Sequence, residues 1–284
     1  MDKIGIITDT NSGLTADLAK QHDILLLPMP IIVNGSEYFE NVDITQAEFF
    51  EYLEGGATVS TSQPAPGNVM LLWEEALKTY DQVIYVPMSS ALSGACDSAK
   101  LFAQDYPDRV FVVDNRRISV SQKQSVLEAD AWRKQGLSAP EIVKRMTDSA
   151  LDASIYLCVN DLNYLKKGGR ITPSVAAIGT VLNIKPVLLI QGGKLDTYKK
   201  VRGPIAARNT MIEAMRHDLE TVFADKDFTL YVAYAGDEQM GLDWKAFVES
   251  KFPDHEVHMD PLPLSIACHT GPGTVGVGVV ANCH

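Results

Sequence analysis

The most chemically suggestive group in this chain is His269-Thr270-Gly271-Pro272-Gly273, close to its end. Glycine and proline at that density predict a tight, backbone-exposing turn rather than a helix. An imidazole carried on such a turn is open to a ligand and titrates near neutral pH. Gly271-x-Gly273-x-x-Gly276 has the spacing of a dinucleotide fingerprint, but that motif needs a helix opening from it and a further strand with an acid downstream. Only eight residues follow Gly276, and Val275-Gly-Val-Gly-Val-Val280 reads as a closing strand. His269 therefore needs partners from elsewhere in the chain.

Three loops offer them. Ser89-Ser-Ala-Leu-Ser93-Gly94 follows a predicted strand and opens a helix. Free N–H groups, a serine hydroxyl and a glycine that permits close approach make an anion site there, and plain N-capping by Ser90 or Ser93 is the alternative. Thr58-Val-Ser-Thr61-Ser62-Gln-Pro64 presents hydroxyls in a row ahead of a proline-started helix, where capping is again the alternative. In Lys166-Lys-Gly-Gly-Arg170-Ile171 the glycine pair ends a helix and the two lysines suit its C-terminus. Arg170, past the helix, has a fork suited to carboxylate or phosphate. Asp9 closes a turn after the first strand. Lys199, Lys200, Arg202 and Arg208 form a basic group, read as mostly solvent-facing.

Familiar catalytic templates do not fit. The chain has no Gly-x-Ser-x-Gly elbow, no Gly-x-x-x-x-Gly-Lys-Ser/Thr loop and no His-Glu-x-x-His. Cys268 would point away from His269 on an extended segment. His255 and His258 give no metal spacing, and no metal or cofactor is expected.

The elements that must position these loops alternate. Strands are predicted over 3–8, 24–27, 82–86 and 110–113, with a hairpin over 31–39 on Asn34-Gly35. Helices fall between them, one from the capping box Thr45-x-x-Glu48, others over 66–80, 118–135 and 139–149. That order implies a parallel α/β unit over residues 1–152. A second α/β unit, 153–284, opens with a strand at 154–159. It holds a short helix ending at Gly168, an apolar helix from Ser174 to Leu182, read as ordinary core packing with the lining of a ligand tunnel as the alternative, a hairpin on Gly192-Gly193, and strands and helices to the end. With 46% hydrophobic and 21% charged residues the chain has a real core, and its net charge of −11 argues against nucleic acid or an anionic membrane surface as main partner. No apolar run approaches the roughly 20 residues of a bilayer span. Four dispersed cysteines and the absence of a signal-peptide layout point to a reducing cytoplasm.

Taken in order, these pieces resemble the DegV family of bacterial proteins: Thr-Asp-Thr-Asn-Ser at 8–12, Ser-Thr-Ser-Gln-Pro at 60–64 and Ser-Ser-Ala-Leu-Ser-Gly at 89–94, then Gly-Gly-Arg-Ile at 168–171, Lys-Val-Arg at 200–202, and Pro-Leu-Ser with His-Thr-Gly-Pro-Gly over 263–273. The ordered set spans the chain. The resemblance implies two α/β domains, the second with a mixed sheet, and a long-chain fatty acid held between them. It implies a non-enzymatic binding subunit that presents the carboxylate to a separate ATP-dependent fatty acid kinase for conversion to acyl-phosphate. Carried over by position, Thr61 and Ser93 hydrogen-bond the carboxylate, with Ser62 and Gly94 beside them, and Arg170 and His269 stand where the phosphate forms. Two stretches depart from the family pattern, Gly-Ala-Cys-Asp at 94–97 and Asn-Arg-Arg at 115–117. They bear on chain-length preference and partner contacts. The rival expectations are a hydrolase or phosphotransferase using Ser93 with His269 as base, and a lipid-sensing regulator.

Overall fold

The computed structural model describes residues 2–178 and 184–283. The first half runs β1 (Ile4–Asp9), α1 (Ala16–Gln21), β2 (Ile24–Leu27), β3 (Pro30–Val33), β4 (Ser36–Phe39), α2 (Gln46–Glu54), β5 (Val59–Thr61) and α3 (Pro66–Ala76). It continues with β6 (Gln82–Val86), α4 (Ala95–Phe102), β7 (Val110–Val112), α5 (Ser119–Lys134) and α6 (Ala139–Asp148). The second half runs β8 (Ala153–Cys158), α7 (Leu162–Gly168), α8 (Pro173–Ala176), β9 (Ile184–Ile190), β10 (Asp196–Arg202) and α9 (Pro204–Thr221). It ends with β11 (Phe228–Tyr234), α10 (Glu238–Glu249), β12 (Val257–Pro261), α11 (Leu264–Thr270) and β13 (Val275–Ala281).

These strands form a parallel sheet in the order β2-β1-β6-β7, a mixed sheet β10-β9-β8-β13-β11-β12, and a small antiparallel sheet β4-β3-β5. Only β11 and β12 pair in parallel within the mixed sheet. β1 is buried along its whole length, its apolar run Ile4-Gly-Ile-Ile7 fitting a strand covered on both faces and Thr8 and Asp9 lying buried at its end. The expected α/β class, parallel sheet first and mixed sheet second, is the architecture observed.

β13 shows how sequence shapes the interior. Its valines at 275, 277 and 279 join the core with Met211 of α9 and Trp244 of α10. Gly276 and Gly278 fall on the other face, by the period of two along a strand. A Cβ on Gly276 would lie 3.2 Å from the Tyr156 carbonyl oxygen, and one on Gly278 would lie 3.7 Å from Val120 of α5. The alternation therefore packs one side of the sheet and leaves room on the other. The small sheet and α2 cover that region from a different direction: Ile31 and Val33 of β3 and Phe49 of α2 cluster with Leu264, Ala267 and Cys268 of α11.

Three expectations need correction. The segment before Gly271 is helical, because Leu264, Ala267 and Cys268 recur at helical spacing and are buried, so His269 sits in the last turn of α11 and not on a turn. Gly271, at φ +74°, ends that helix instead of forming the site. Thr61 lies in β5, paired with Ile31, where an irregular loop was expected. The apolar helix expected from Ser174 to Leu182 is one turn, Pro173–Ala176, and its remainder from 179 onward lies outside the described residues.

Candidate functional site

Two helices bring the cationic groups together through glycine contacts. A Cβ on Gly168, the last residue of α7, would fall 2.3 Å from His269 Nδ1, so the imidazole rests directly on that glycine. A Cβ on Gly271 would fall 2.5 Å from the Tyr164 ring of α7. Neither helix could approach the other so closely with a side chain at those positions. Gly169, at φ +68°, does the separate work of terminating α7, and it sends the chain on to Arg170.

The imidazole is held on its far side as well: His269 Nε2 and Thr61 Oγ1 stand 2.9 Å apart in a hydrogen bond. Burial, and then the nearby Arg170 guanidinium, lower the His269 pKa to about 4. It is therefore neutral at physiological pH. Arg170 donates from Nε to the Leu92 carbonyl (3.3 Å) and from Nη1 to the Gly168 carbonyl. Among the described residues no carboxylate pairs with it, so the site carries one fixed positive charge that the protein leaves without a counter-ion.

Ser93 stands across the site, at the N-terminal entry to α4. Its hydroxyl accepts from Ala95 N (3.2 Å), a local turn bond of the capping kind, and its own N–H donates to the Ser89 carbonyl. Gly94 is the helix's first flanking residue, and a Cβ there would meet Gln63 Nε2 at 2.5 Å. Asp9, buried at the end of β1, accepts from Asn11 N, Met88 N and Gln122 Nε2. It both closes its own turn and ties the β6 loop to β1. Burial raises its pKa.

Thr61, Ser62, Ser93, Gly94, Arg170 and His269 all line one cavity of about 300 Å³. Four separate segments contribute them: β5 with the residue after it, the loop before α4, the chain just past α7, and α11. Ser62, Gly94 and Arg170 are exposed, and Thr61, Ser93 and His269 are half-buried. Farther in, the lining turns to buried apolar side chains such as Ile118, Val120, Leu157 and Leu262. A cavity of this size with a few convergent polar groups at one end has the build of a small-molecule site for an elongated apolar ligand with an anionic head. Lys199, Lys200 and Arg202 lie on the edge strand β10, away from this lining and exposed at 199, 200 and 202.

A family model described as "Uncharacterised protein, DegV family" matches residues 3–282. The chain belongs to the DegV family. A DegV domain-containing protein of Caldanaerobacter subterraneus is 31% identical over 279 residues, 98% of either chain. A fatty-acid-binding DegV family protein from Thermus thermophilus superimposes with a TM-score of 0.89 at 33% identity, covering 98% of this chain and 99% of that one. DegV of Bacillus subtilis, a fatty acid binding protein, gives 0.88 at 26% identity over 99% of this chain and 100% of that one.

Two contributors to this DegV site are not apparent from the sequence. Gly168 and Gly169 read alike as helix breakers, yet one serves α7 and the other serves His269. Gln63, covering Gly94 and accepting at Oε1 from Ser98, is an ordinary glutamine until α4 is placed beside β5.

Proposed function

We propose that this protein binds a long-chain fatty acid, tail inward, and presents the carboxylate to a partner kinase that converts it to acyl-phosphate. The observation that carries the reading is the change along one cavity from buried aliphatic walls to a half-exposed cluster holding an unpaired guanidinium. Solved DegV proteins described as fatty acid binding support the ligand class. Burying about fifteen methylenes contributes roughly 12 kcal/mol gross, so the tail alone can supply affinity. The head then needs orientation and a charge partner, which Thr61, Ser93 and Arg170 provide.

In the transfer, a carboxylate oxygen forms a bond to the γ-phosphorus of ATP as the bond to the bridging oxygen breaks, and ADP leaves on the partner. The half-exposed end is where such a partner reaches the carboxylate. Arg170 stabilises charge on the phosphoryl group, and His269, neutral, with Nε2 on Thr61 and Nδ1 against Gly168, orients the Thr61 hydroxyl. Ser93 as a nucleophile with His269 as base finds no support in the geometry, since its hydroxyl bonds to Ala95 N while His269 bonds to Thr61. The Thr61–His269 pair lacks an orienting acid, because Nδ1 faces Gly168.

We place the domain boundary after residue 152, where the sheets change, and the protein in the cytoplasm, where ATP and reduced thiols are available. No described helix is long and apolar enough to cross a membrane. Mass spectrometry of lipid extracted from purified protein tests the ligand class. An extract without fatty acid, together with no binding of added stearic or oleic acid, overturns the reading.

A further inference from the structure

The mixed sheet turns one face toward the cavity, and its strand register lays that face out in rows. Leu157 of β8, Gly276 of β13 and Ala233 of β11 stand opposite one another, and Ile155, Gly278 and Tyr231 do so in the next row. Residues opposite one another across paired strands share a face, as do residues two apart along a strand. Both rows therefore look the same way, and each has a glycine at its centre.

What stands over the two rows differs. A Cβ on Gly278 would meet Ile155 at 3.4 Å within its own row and Val120 of α5 at 3.7 Å from above, and the Tyr231 hydroxyl donates to Gln124 of α5 at 2.6 Å. α5 thus closes over that row, and neither Gly278 nor Tyr231 is among the described residues that line the cavity. Leu157, Gly276 and Ala233 all line it. The atoms nearest to a Cβ on Gly276 belong to the neighbouring strand β8, the Tyr156 carbonyl oxygen at 3.2 Å and Leu157 at 3.5 and 3.9 Å, and no described atom from across the cavity comes as near. Gly276 has no positive φ that would call for glycine. A glycine inside a strand weakens it, and such a position marks a place where another group approaches the backbone closely.

We infer that the acyl chain crosses the sheet over Gly276 and Ala233, and that the side-chain bulk missing there sets the longest chain the cavity takes. This rests on the fatty-acid reading above. A methylene packs about 4 Å from the atoms beneath it, the layer that larger side chains in this row would fill. The test titrates purified, delipidated wild type, Gly276→Ala, Ala233→Val and Gly278→Ala with decanoic, dodecanoic, tetradecanoic, palmitic and stearic acids. Wild-type affinity should climb with chain length through stearic acid. In Gly276→Ala and Ala233→Val the climb should stop at a shorter acid, leaving stearic acid roughly tenfold weaker than in wild type, the worth of between one and two methylenes. Gly278→Ala, whose Cβ falls at ordinary contact distances under α5, should follow wild type. The close Tyr156 carbonyl makes Gly276→Ala the harder variant to fold, and Ala233→Val, which suits a strand, reads the same row from the neighbouring one. A wild-type length profile in both row variants, or the same truncation in Gly278→Ala, overturns the inference. Wild type that binds none of these acids overturns the carrier reading, and this inference with it.

Discussion

Replacing Gly168 with alanine separates lipid holding from lipid presentation. The new Cβ would meet His269 Nδ1 at 2.3 Å, Cγ at 3.1 Å and Cε1 at 3.2 Å, whereas ordinary contact begins near 3.4 Å. The ring must retreat by about 1 Å, and Thr61, already at 2.9 Å from Nε2, blocks the simple way out. Overpacking of this kind costs about 1–3 kcal/mol, and alanine's better helix propensity returns roughly 1. The fold should therefore survive with a small loss. The apolar walls are untouched, so stearic acid affinity should change by less than about tenfold. Misplacing a reacting group by 1 Å can cost about a hundredfold in rate. We expect kinase-dependent acyl-phosphate formation to fall by about that factor, measured with the purified partner at saturating lipid. Gly169→Ala is the control: nothing lies within 4 Å of its Cβ, and it strains only the backbone at φ +68°. It should lose stability without the same loss of transfer. Because Gly168→Ala acts through the ring, His269→Ala and the double variant should show nearly equal defects. Full transfer activity in Gly168→Ala, or losses that simply add, would refute the reasoning.

Further outcomes follow from the same contacts. Gly94→Ala should be mild, within about 1 kcal/mol in urea unfolding, because the atom in the way is the end of the exposed, flexible Gln63 side chain. Thr61→Val should leave stearic acid bound but unpin His269, and Ser93→Ala should shift the bound carboxylate; wild-type head-group positions in crystals of both variants would count against their assignment. His269 has a folded-state pKa of about 4 against 6.5 unfolded, so its contribution is present above pH 6.5 and is lost as pH falls toward 4. By pH 5 this amounts to about 2 kcal/mol, seen as a steeper acid destabilisation of lipid-free wild type than of His269→Gln. Parallel pH curves would contradict the neutral, buried imidazole.

The order of elements was legible because alternating apolar strands and capped helices carry local signals: Thr45 and Glu48 form the expected capping box, and β3 and β4 meet across Asn34-Gly35. His269 was expected on a turn because Gly271, Pro272 and Gly273 dominate a local reading, while the helix before them depends on burial of Leu264, Ala267 and Cys268 against the distant Ile31 and Phe49. Tertiary packing decided that element. The six candidate positions could be named from loop chemistry and family resemblance, but the packing that brings them to one cavity could not. It lies in Gly168 and Gly271, whose missing side chains matter only once α7 and α11 are placed side by side.

Electrostatics gives the cluster a direction as well as a place. With His269 neutral, the described site offers one cation, Arg170, whose protein partners are the carbonyls of Leu92 and Gly168. That matches a fatty acid carboxylate of one negative charge. An acyl-phosphate brings about one charge more to the same place, and its phosphate sits nearer the half-exposed rim. Proton uptake by His269 could meet the added charge only by overcoming its burial and the repulsion of Arg170, the two causes that lower its pKa. On the proposed function, a single cation suits the acid better than its phosphorylated form, so an acyl-phosphate should bind more weakly than the acid from which it came. Arg170→Gln should weaken binding of both and of the more highly charged product more, widening the margin of the acid, as competition between stearic acid and a non-hydrolysable acyl-phosphonate would show. Equal affinity for the two in wild type would mean that a charge outside this cluster, supplied by the partner or by the basic edge strand, governs release.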